Sequence, residues 1–350
     1  MRKYLFFVNA EYCFAILRPL QEVIRQRGDQ AAWFVFGCSA AALRDDERLL
    51  PTVAEVEKYR PDAVFAPGDW VPYFFPGAKV QVFHGIARNK RGAATEEESD
   101  HYHIRGWFDL YCTHAAKDTA LFQQQAARLG SFVVAKTGWP KLDPLFRERA
   151  RLVKRLPGSP PAVFFASTFS SSITAAPVLA GLIEQLSSVG RWRFIVTLHP
   201  KMASEVVARY RAIRNPCYSF IPAGEDLLPA MAEADLMLCD TSSIMYEFLF
   251  LDKPLVTFRT RNPGPHLLDV ARVSEVEGAL QRALARPPEQ LAAAGLLCRQ
   301  LHEFEDGGAA DRVMDAVARL LTEQLPTLKP KPFNVLRKLK LRARLGYWRF

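Results

Sequence analysis

Short runs of contiguous apolar residues recur along the chain, each bounded by polar or turn-forming residues. YLFFV (4–8), AAWFVF (31–36), DAVFA (62–66), KVQVF (79–83), FDLYC (108–112) and SFVVA (131–135) have the length and composition of buried strands. Helix-like stretches lie between several of them, at 14–27 and 115–129. RLPGSPP (155–161) breaks the pattern with Pro, Gly and Ser and reads as a linker. The alternation then resumes with AVFFAS (162–167), RFIVTL (193–198), CYSFI (217–221), DLMLC (235–239) and PLVTF (254–258), with helices near 175–188, 201–213 and 243–251. Alternating β and α elements predict parallel sheets with helices on both faces. Two such series predict two Rossmann-like α/β domains facing across a cleft, at 1–155 and 156–328. A last helix at 309–324 is placed to pack back on the first domain, and residues 329–350 form a separate tail.

Composition narrows this picture. A chain of 350 residues with 49% apolar content is long enough for two ordinary cores. No apolar run reaches the roughly 20 residues that span a bilayer. The N-terminal MRKYLFFVNAEYCF is interrupted by Asn9 and Glu11, so it reads as a first strand and not as an export signal. The six cysteines are scattered without a C-x-x-C spacing, as expected of free thiols in a reducing cytoplasm. The net charge of +9 belongs to the tail: of 46 basic residues, eight lie in 329–350 without an acid, leaving 38 against 37 acidic residues in the body. Each such cation near an anionic bilayer contributes on the order of 1 kcal/mol, so the tail is expected to hold the protein on the inner face of the cell membrane. KLKLRARL fits a helix or an alternating strand equally, which leaves the tail's conformation open. Nucleic acid is not expected as a partner, because the body carries no basic surface interleaved with aromatics.

In open α/β sheets ligands bind beyond the carboxyl ends of the strands, so polar residues just after strands carry the functional signal. In VFHGIARNKRG (82–92), His84 ends a strand and Gly85 leaves room beside it, which suits a general base with Lys90 nearby. VTLHPK (196–201) repeats that grammar with His199 in the second domain. CDTSSIMYEFLFLDKP (239–254) places Asp240, Thr241, Ser242 and Ser243 between a strand and a helix. Those side chains serve either a helix cap or a phosphate grip, and the two uses are compatible. In EFEDGGAADRVMDAVARLL (303–321), Arg312 lies near a helix start, where the dipole disfavours a cation unless an anion accompanies it. His101 and His103, two apart in DHYHIRGW, would share one face of a strand, but nothing supplies a third metal ligand. No metal and no cofactor are therefore expected.

Taken in order, HG-x-x-x-x-K-x-G (His84 to Gly92), G-x-P-K-x-D (Gly138 to Asp143), HP (His199, Pro200), D-x-SS (Asp240 to Ser243) and DGGAADRV (Asp306 to Val313) resemble the CDP-glycerol glycerophosphotransferases of teichoic acid and capsule synthesis. The resemblance spans roughly residues 80 to 320 and implies the GT-B architecture. It implies displacement at the β-phosphorus of a CDP-alcohol, with release of CMP and a glycan or lipid-linked hydroxyl as acceptor. His84 would take the acceptor's proton, and His199 would stand near the donor phosphates. Ser242, Ser243, Thr241, Asp240, Arg312 and Gly85 would bind the donor, and Lys90, Lys141, Asp143, Thr168 and Glu247 would line the cleft. The chain departs from the family's pattern at Phe83 (usually Trp), Thr241 (usually Tyr) and Lys141 (usually Arg), and in FFASTFSSS (164–172), where Ser167 and Ser170 replace the Pro and Arg of P-T-x-R. A GT-B glycosyltransferase or UDP-sugar 2-epimerase, which also carries a D-[ST]-[SG] turn followed by a glutamate, stays open, as does a non-catalytic lipid-surface protein.

Overall fold

The computed structural model describes residues 1–86, 100–149, 158–322 and 328–348. The chain divides into two compact units, Met1–Pro144 with Gln300–Phe350, and Leu145–Arg299. The first contains β1 (Lys3–Val8), α1 (Tyr12–Gln26), β2 (Gln30–Val35), α2 (Val53–Tyr59), β3 (Ala63–Ala66), β4 (Ala78–Gln81), β5 (Leu110–Thr113), α3 (Ala116–Leu129) and β6 (Val133–Lys136). Helix α4 (Asp143–Arg149) crosses the boundary. The second contains β7 (Ala162–Ser167), α5 (Ala176–Ser188), β8 (Arg193–Leu198), α6 (Ser204–Ala212), β9 (Tyr218–Ile221), α7 (Leu228–Glu233), β10 (Leu236–Cys239), α8 (Ile244–Leu249), β11 (Leu255–Phe258), β12 (Leu268–Val270) and α9 (Val273–Leu284). Helix α10 (Pro288–Leu301) leads back to the first unit, which α11 (Ala309–Thr322) and α12 (Val335–Leu345) complete.

Each unit is built on a six-stranded parallel sheet. The first has the order β2-β1-β3-β4-β5-β6, so the direction of winding reverses between β1 and β3. The second has the order β12-β11-β10-β7-β8-β9, and its reversal lies between β7 and β10. These are the two common doubly wound orders, and their switch points open crevices at the carboxyl ends of the strands. Most strand positions are apolar because helices cover both faces, with exceptions such as the buried Lys79 and Gln81 of β4. Leu5, Phe7, Phe34, Val64, Phe75, Tyr111 and Phe122 belong to the first core, and Phe165, Leu179, Ile183, Phe194, Leu238, Val256 and Leu280 to the second.

Several motif residues of the first unit prove to be scaffold. Gly138 has φ +80°, and a side chain there would lie 2.8 Å from His302 Nε2. That nitrogen instead accepts the Trp139 N–H at 2.7 Å, while His302 Nδ1 donates to the Phe304 carbonyl at 2.6 Å. Burial lowers the His302 pKa to about 4, so the ring stays neutral in this double role. Asp143, expected at a cleft, is buried at 1% exposure. Its two oxygens accept the Ala309 and Ala310 N–H groups at 2.9 and 2.7 Å, which caps α11 with the charge that a helix start favours.

The anion called for beside Arg312 is Asp306, bound through two guanidinium nitrogens at 2.8 and 3.0 Å. Arg312 Nε also donates to the Thr137 carbonyl at 2.8 Å, and the guanidinium lies 3.8 Å over the Phe304 ring. Hydrogen bonds from Arg312 hold the Asp306 carboxyl down at about 2, against an ordinary value of 3.8. A depressed folded-state pKa gives stability that is present above the ordinary value and lost as pH falls through the folded one. The Arg312→Met variant should therefore be less stable than the parent at pH 7. The part of that difference owed to the pair, about 0.5–1 kcal/mol for so exposed an ion pair, should disappear between pH 4 and pH 2 in denaturant titrations. A difference that does not change with pH would assign all of it to Thr137 and Phe304.

The tail is a docked helix. Lys331 pairs with Asp109 at 2.6 Å, Asn334 donates to the Arg105 carbonyl at 2.9 Å, and Arg342 Nε reaches the Tyr73 hydroxyl at 2.5 Å. Tyr347 stacks on Phe74 with centroids 4.5 Å apart. Leu341 and Arg342 are buried in this contact, whereas Phe333, Leu336, Leu339 and Trp348 remain exposed.

Candidate functional site

In the second unit, the segments after β7, β8 and β10 meet at the switch point, and Asp240 ties them together. It was expected on the phosphate, but it has no exposure and instead holds the scaffold. Its carboxylate accepts the Ser167 hydroxyl at 2.5 Å, the Thr168 N–H at 3.0 Å and the Ala175 N–H at 2.9 Å. Burial pushes its pKa up, and these hydrogen bonds oppose the shift. Thr168 thus contributes its backbone to this knot. The loop it begins carries the exposed Phe169 and the serines at 170–172 outward.

Thr241 follows at the surface of the same turn, and its hydroxyl accepts the Arg261 N–H at 3.0 Å. Ser242 is half-buried and Ser243 exposed, and neither hydroxyl bonds any other described residue. Ser243 holds the cap position of α8 by sequence, but its side chain makes no cap hydrogen bond. Helix α8 has six residues, shorter than the two or three turns expected. Glu247 is half-buried on it.

His199 stands just past β8. Its backbone N–H reaches the Ser167 carbonyl at 3.2 Å, and its ring lies against Phe169 with centroids 4.4 Å apart. Nδ1 accepts the Lys201 N–H at 3.0 Å, so the neutral ring carries its proton on Nε2. Burial, then the Lys201 charge, lowers its pKa. His199 therefore offers an uncharged Nε2–H donor at neutral pH.

In the first unit, His84 follows β4 in a turn made by Phe83, whose φ is +56°. An aromatic residue seldom takes that conformation, so the surroundings must impose it. The Trp139 indole N–H donates to the Phe83 carbonyl at 3.1 Å, and the buried Phe83 ring packs on His101, His114 and Phe122. The turn leaves His84 about half exposed, with Nδ1 4.0 Å from Asp69 Oδ1. Arg105 lies 3.6 Å from the other Asp69 oxygen, and the Tyr12 ring is 5.9 Å from the imidazole. Among the described residues, a Cβ at Gly85 would meet nothing within 4 Å.

Lys141 lies 5.3 Å over the Trp139 ring. Lys90 lies outside the described residues. His101 and His103 do not share a strand face: His101 sits in a 3-10 turn with its ring on Phe83, while His103 is exposed. Among the described residues, no group of three His, Cys, Asp or Glu side chains is arranged to hold a metal ion.

Sequence reasoning missed Asp69, Phe169 and Arg261. Each lies in a segment following a strand, but an aspartate after APG, a phenylalanine among serines and an arginine in RTRNPG carry no pattern that marks them.

The family described as CDP-glycerol:poly(glycerophosphate) glycerophosphotransferase matches residues 65–319. No curated protein matches the sequence significantly. Among solved structures, the wall teichoic acid polymerase TagF is 13% identical with a TM-score of 0.63, over 93% of this chain and 90% of its own. S. aureus MnaA with UDP is 15% identical with a TM-score of 0.62, over 95% and 100%. A UDP-N-acetylglucosamine 2-epimerase homologue from Listeria monocytogenes is 13% identical with a TM-score of 0.63, over 95% and 99%. At such identities the structures establish a shared GT-B fold, and it is the family match over most of the length that separates the candidates. The chain belongs to the CDP-glycerol:poly(glycerophosphate) glycerophosphotransferase family.

Proposed function

We propose that the protein transfers glycerol phosphate, or a related polyol or sugar phosphate, from a CDP-linked donor to a hydroxyl of a glycan or lipid-linked acceptor, releasing CMP. The observation that carries this reading is the pair of serine hydroxyls at the switch point of the second sheet. Ser242 and Ser243 have no other described side-chain partner and stand beside a turn held rigid from within by Asp240. Hydroxyls fixed in this way suit phosphate oxygens, and His199 Nε2–H adds a third donor of the same kind.

The reaction needs no covalent enzyme intermediate. The acceptor oxygen attacks the β-phosphorus, its bond to phosphorus forms as the bond to the CMP oxygen breaks, and CMP leaves with the electron pair. The acceptor's proton passes to His84 Nε2. Asp69, facing Nδ1, favours the tautomer with Nε2 free. The distance of 4.0 Å is longer than a hydrogen bond, so Asp69 acts on the ring through its charge. His84 belongs to unit 1, and Ser242, Ser243 and His199 belong to unit 2.

The fold similarity to MnaA, described with UDP, and Glu247 after the DTSS turn support a second reading, a nucleotide-sugar enzyme. The two readings differ in the nucleotide released. Full-length protein given CDP-glycerol and a membrane extract should release CMP, and release of UDP from a nucleotide sugar instead would favour the second reading. His84→Ala should lower turnover by about 100-fold or more while donor affinity, measured by calorimetry, stays within about threefold. Loss of donor binding along with turnover would remove the general-base role.

The tail supports a peripheral association with an anionic membrane. Helix α12 turns Leu336 and Leu339 outward beside Arg337 and Lys340, while Phe333 and Trp348 flank it. Because its other face packs on unit 1, point variants are a cleaner test than deletion. Leu336→Glu with Lys340→Glu should reduce sedimentation with vesicles containing phosphatidylglycerol by about tenfold or more and leave CMP release onto a soluble acceptor intact. Equal sedimentation would remove this role from the tail.

A further inference from the structure

The segments around Ser242 and Ser243 bring hydroxyls together, but the carboxylate tied into them, Asp240, is buried and negative. A donor diphosphate placed there would bring negative charge that hydroxyls alone do not balance. A cation is within reach from a segment that neither motif reading nor the family pattern singles out. Arg261 follows β11, the strand next to β10 in the sheet, and its backbone N–H is fixed on Thr241 Oγ1 at 3.0 Å. Its guanidinium crosses to the loop after β7, where Nη2 donates to Ser172 Oγ at 3.2 Å.

Other arginines of this unit are satisfied differently. Arg193 pairs with Glu233 at 2.7 Å, Arg191 with Glu277 at 2.8 Å and Arg272 with Glu275 at 2.6 Å. Arg259, two residues away, is turned onto the Ala271 carbonyl at 2.8 Å and its own neighbour Phe258. Arg261 is exposed and forms no ion pair with any described residue. Its single hydroxyl partner leaves most of its five donors unused.

We propose that Arg261, whose guanidinium meets Ser172 Oγ, is the donor-side cation of this enzyme and binds the diphosphate of the nucleotide donor at the Ser242–Ser243 turn. The planar fork of an arginine matches two phosphate oxygens, and its anchor on Thr241 places it one residue from Ser242. This rests on the nucleoside-diphosphate donor proposed above. It also accounts for a loop that carries serine at position 170 without loss of the positive charge: the cation comes from the neighbouring strand's loop instead.

The test is calorimetric titration of the full chain and of Arg261→Met, Arg261→Lys and Ser172→Ala with cytidine, CMP, CDP and UDP. Arg261→Met should weaken binding of the preferred nucleoside diphosphate by about 10- to 100-fold, as expected for a charge-assisted contact, with little change for cytidine. Arg261→Lys should recover part of the loss, and the salt dependence of diphosphate binding should be shallower in Arg261→Met than in the parent. Ser172→Ala, which removes only the hydroxyl partner of Arg261, should cost less than about threefold. Undiminished diphosphate binding by Arg261→Met would overturn the proposal. So would an equal loss in Ser172→Ala, which would make Arg261 a latch for the loop. If the parent binds UDP and not CDP, the CDP-donor reading fails while the Arg261 assignment is still decided with UDP. If the parent binds neither, both fail.

Discussion

A carboxylate with no access to solvent sits at the switch point of the second sheet, and the chain on both sides is tied to it. Asp240 directly follows β10 and accepts hydrogen bonds from the Ser167 side chain and from the backbone at Thr168 and Ala175. A buried charge is tolerated only when hydrogen bonds satisfy it, and here satisfying it fixes the path of residues 168–175. Because Asp240 faces inward, the next residue, Thr241, faces the Arg261 loop, and the hydroxyls of the two serines that follow bond no other described residue. The same residue that rigidifies the turn thus frees its hydroxyls.

The first unit holds its candidate base by different means. His84 owes its exposure to the left-handed backbone of Phe83, and Phe83 is held by an aromatic packing cluster and by the Trp139 indole. Trp139 rests in turn on the neutral His302, and Asp143 of the same motif caps α11. Residues 138–143 and 302–312 therefore form one interlocked support beneath the candidate base. Side chains of each segment hold the backbone of the other, which is a reason for motifs far apart in sequence to occur together in one chain.

The fold was legible because each buried parallel strand is a contiguous apolar run, and its boundaries were read to within about two residues for most strands. Strand β12 escaped notice: at three residues, with Asp269 in its centre, it has no apolar run to see. The site was legible where a polar residue immediately follows a strand, as at His84, His199 and the DTSS turn. It was misread where burial decides the role. Asp240 and Asp143 look like surface carboxylates in sequence, and only the backbone N–H groups that surround them show that they are internal caps. Asp69 and Arg261 were invisible because their partners come from other strands, a relation that only sheet order creates.

The chemistry follows from this arrangement. In the proposed reaction, the serine hydroxyls and a neutral imidazole receive the donor phosphates, and a second histidine, with Asp69 4.0 Å from its ring, receives a proton. The central claim is that phosphorus moves, with its alcohol attached, from a nucleotide to an acceptor hydroxyl. Phosphorus-31 NMR of the full-length protein with CDP-glycerol and a membrane acceptor observes this directly. The account predicts that the diphosphate signals decline while a CMP monoester and a phosphodiester grow in equal amounts. Formation of free glycerol phosphate without the diester, or a diphosphate that persists while a UDP-sugar is consumed, would contradict it.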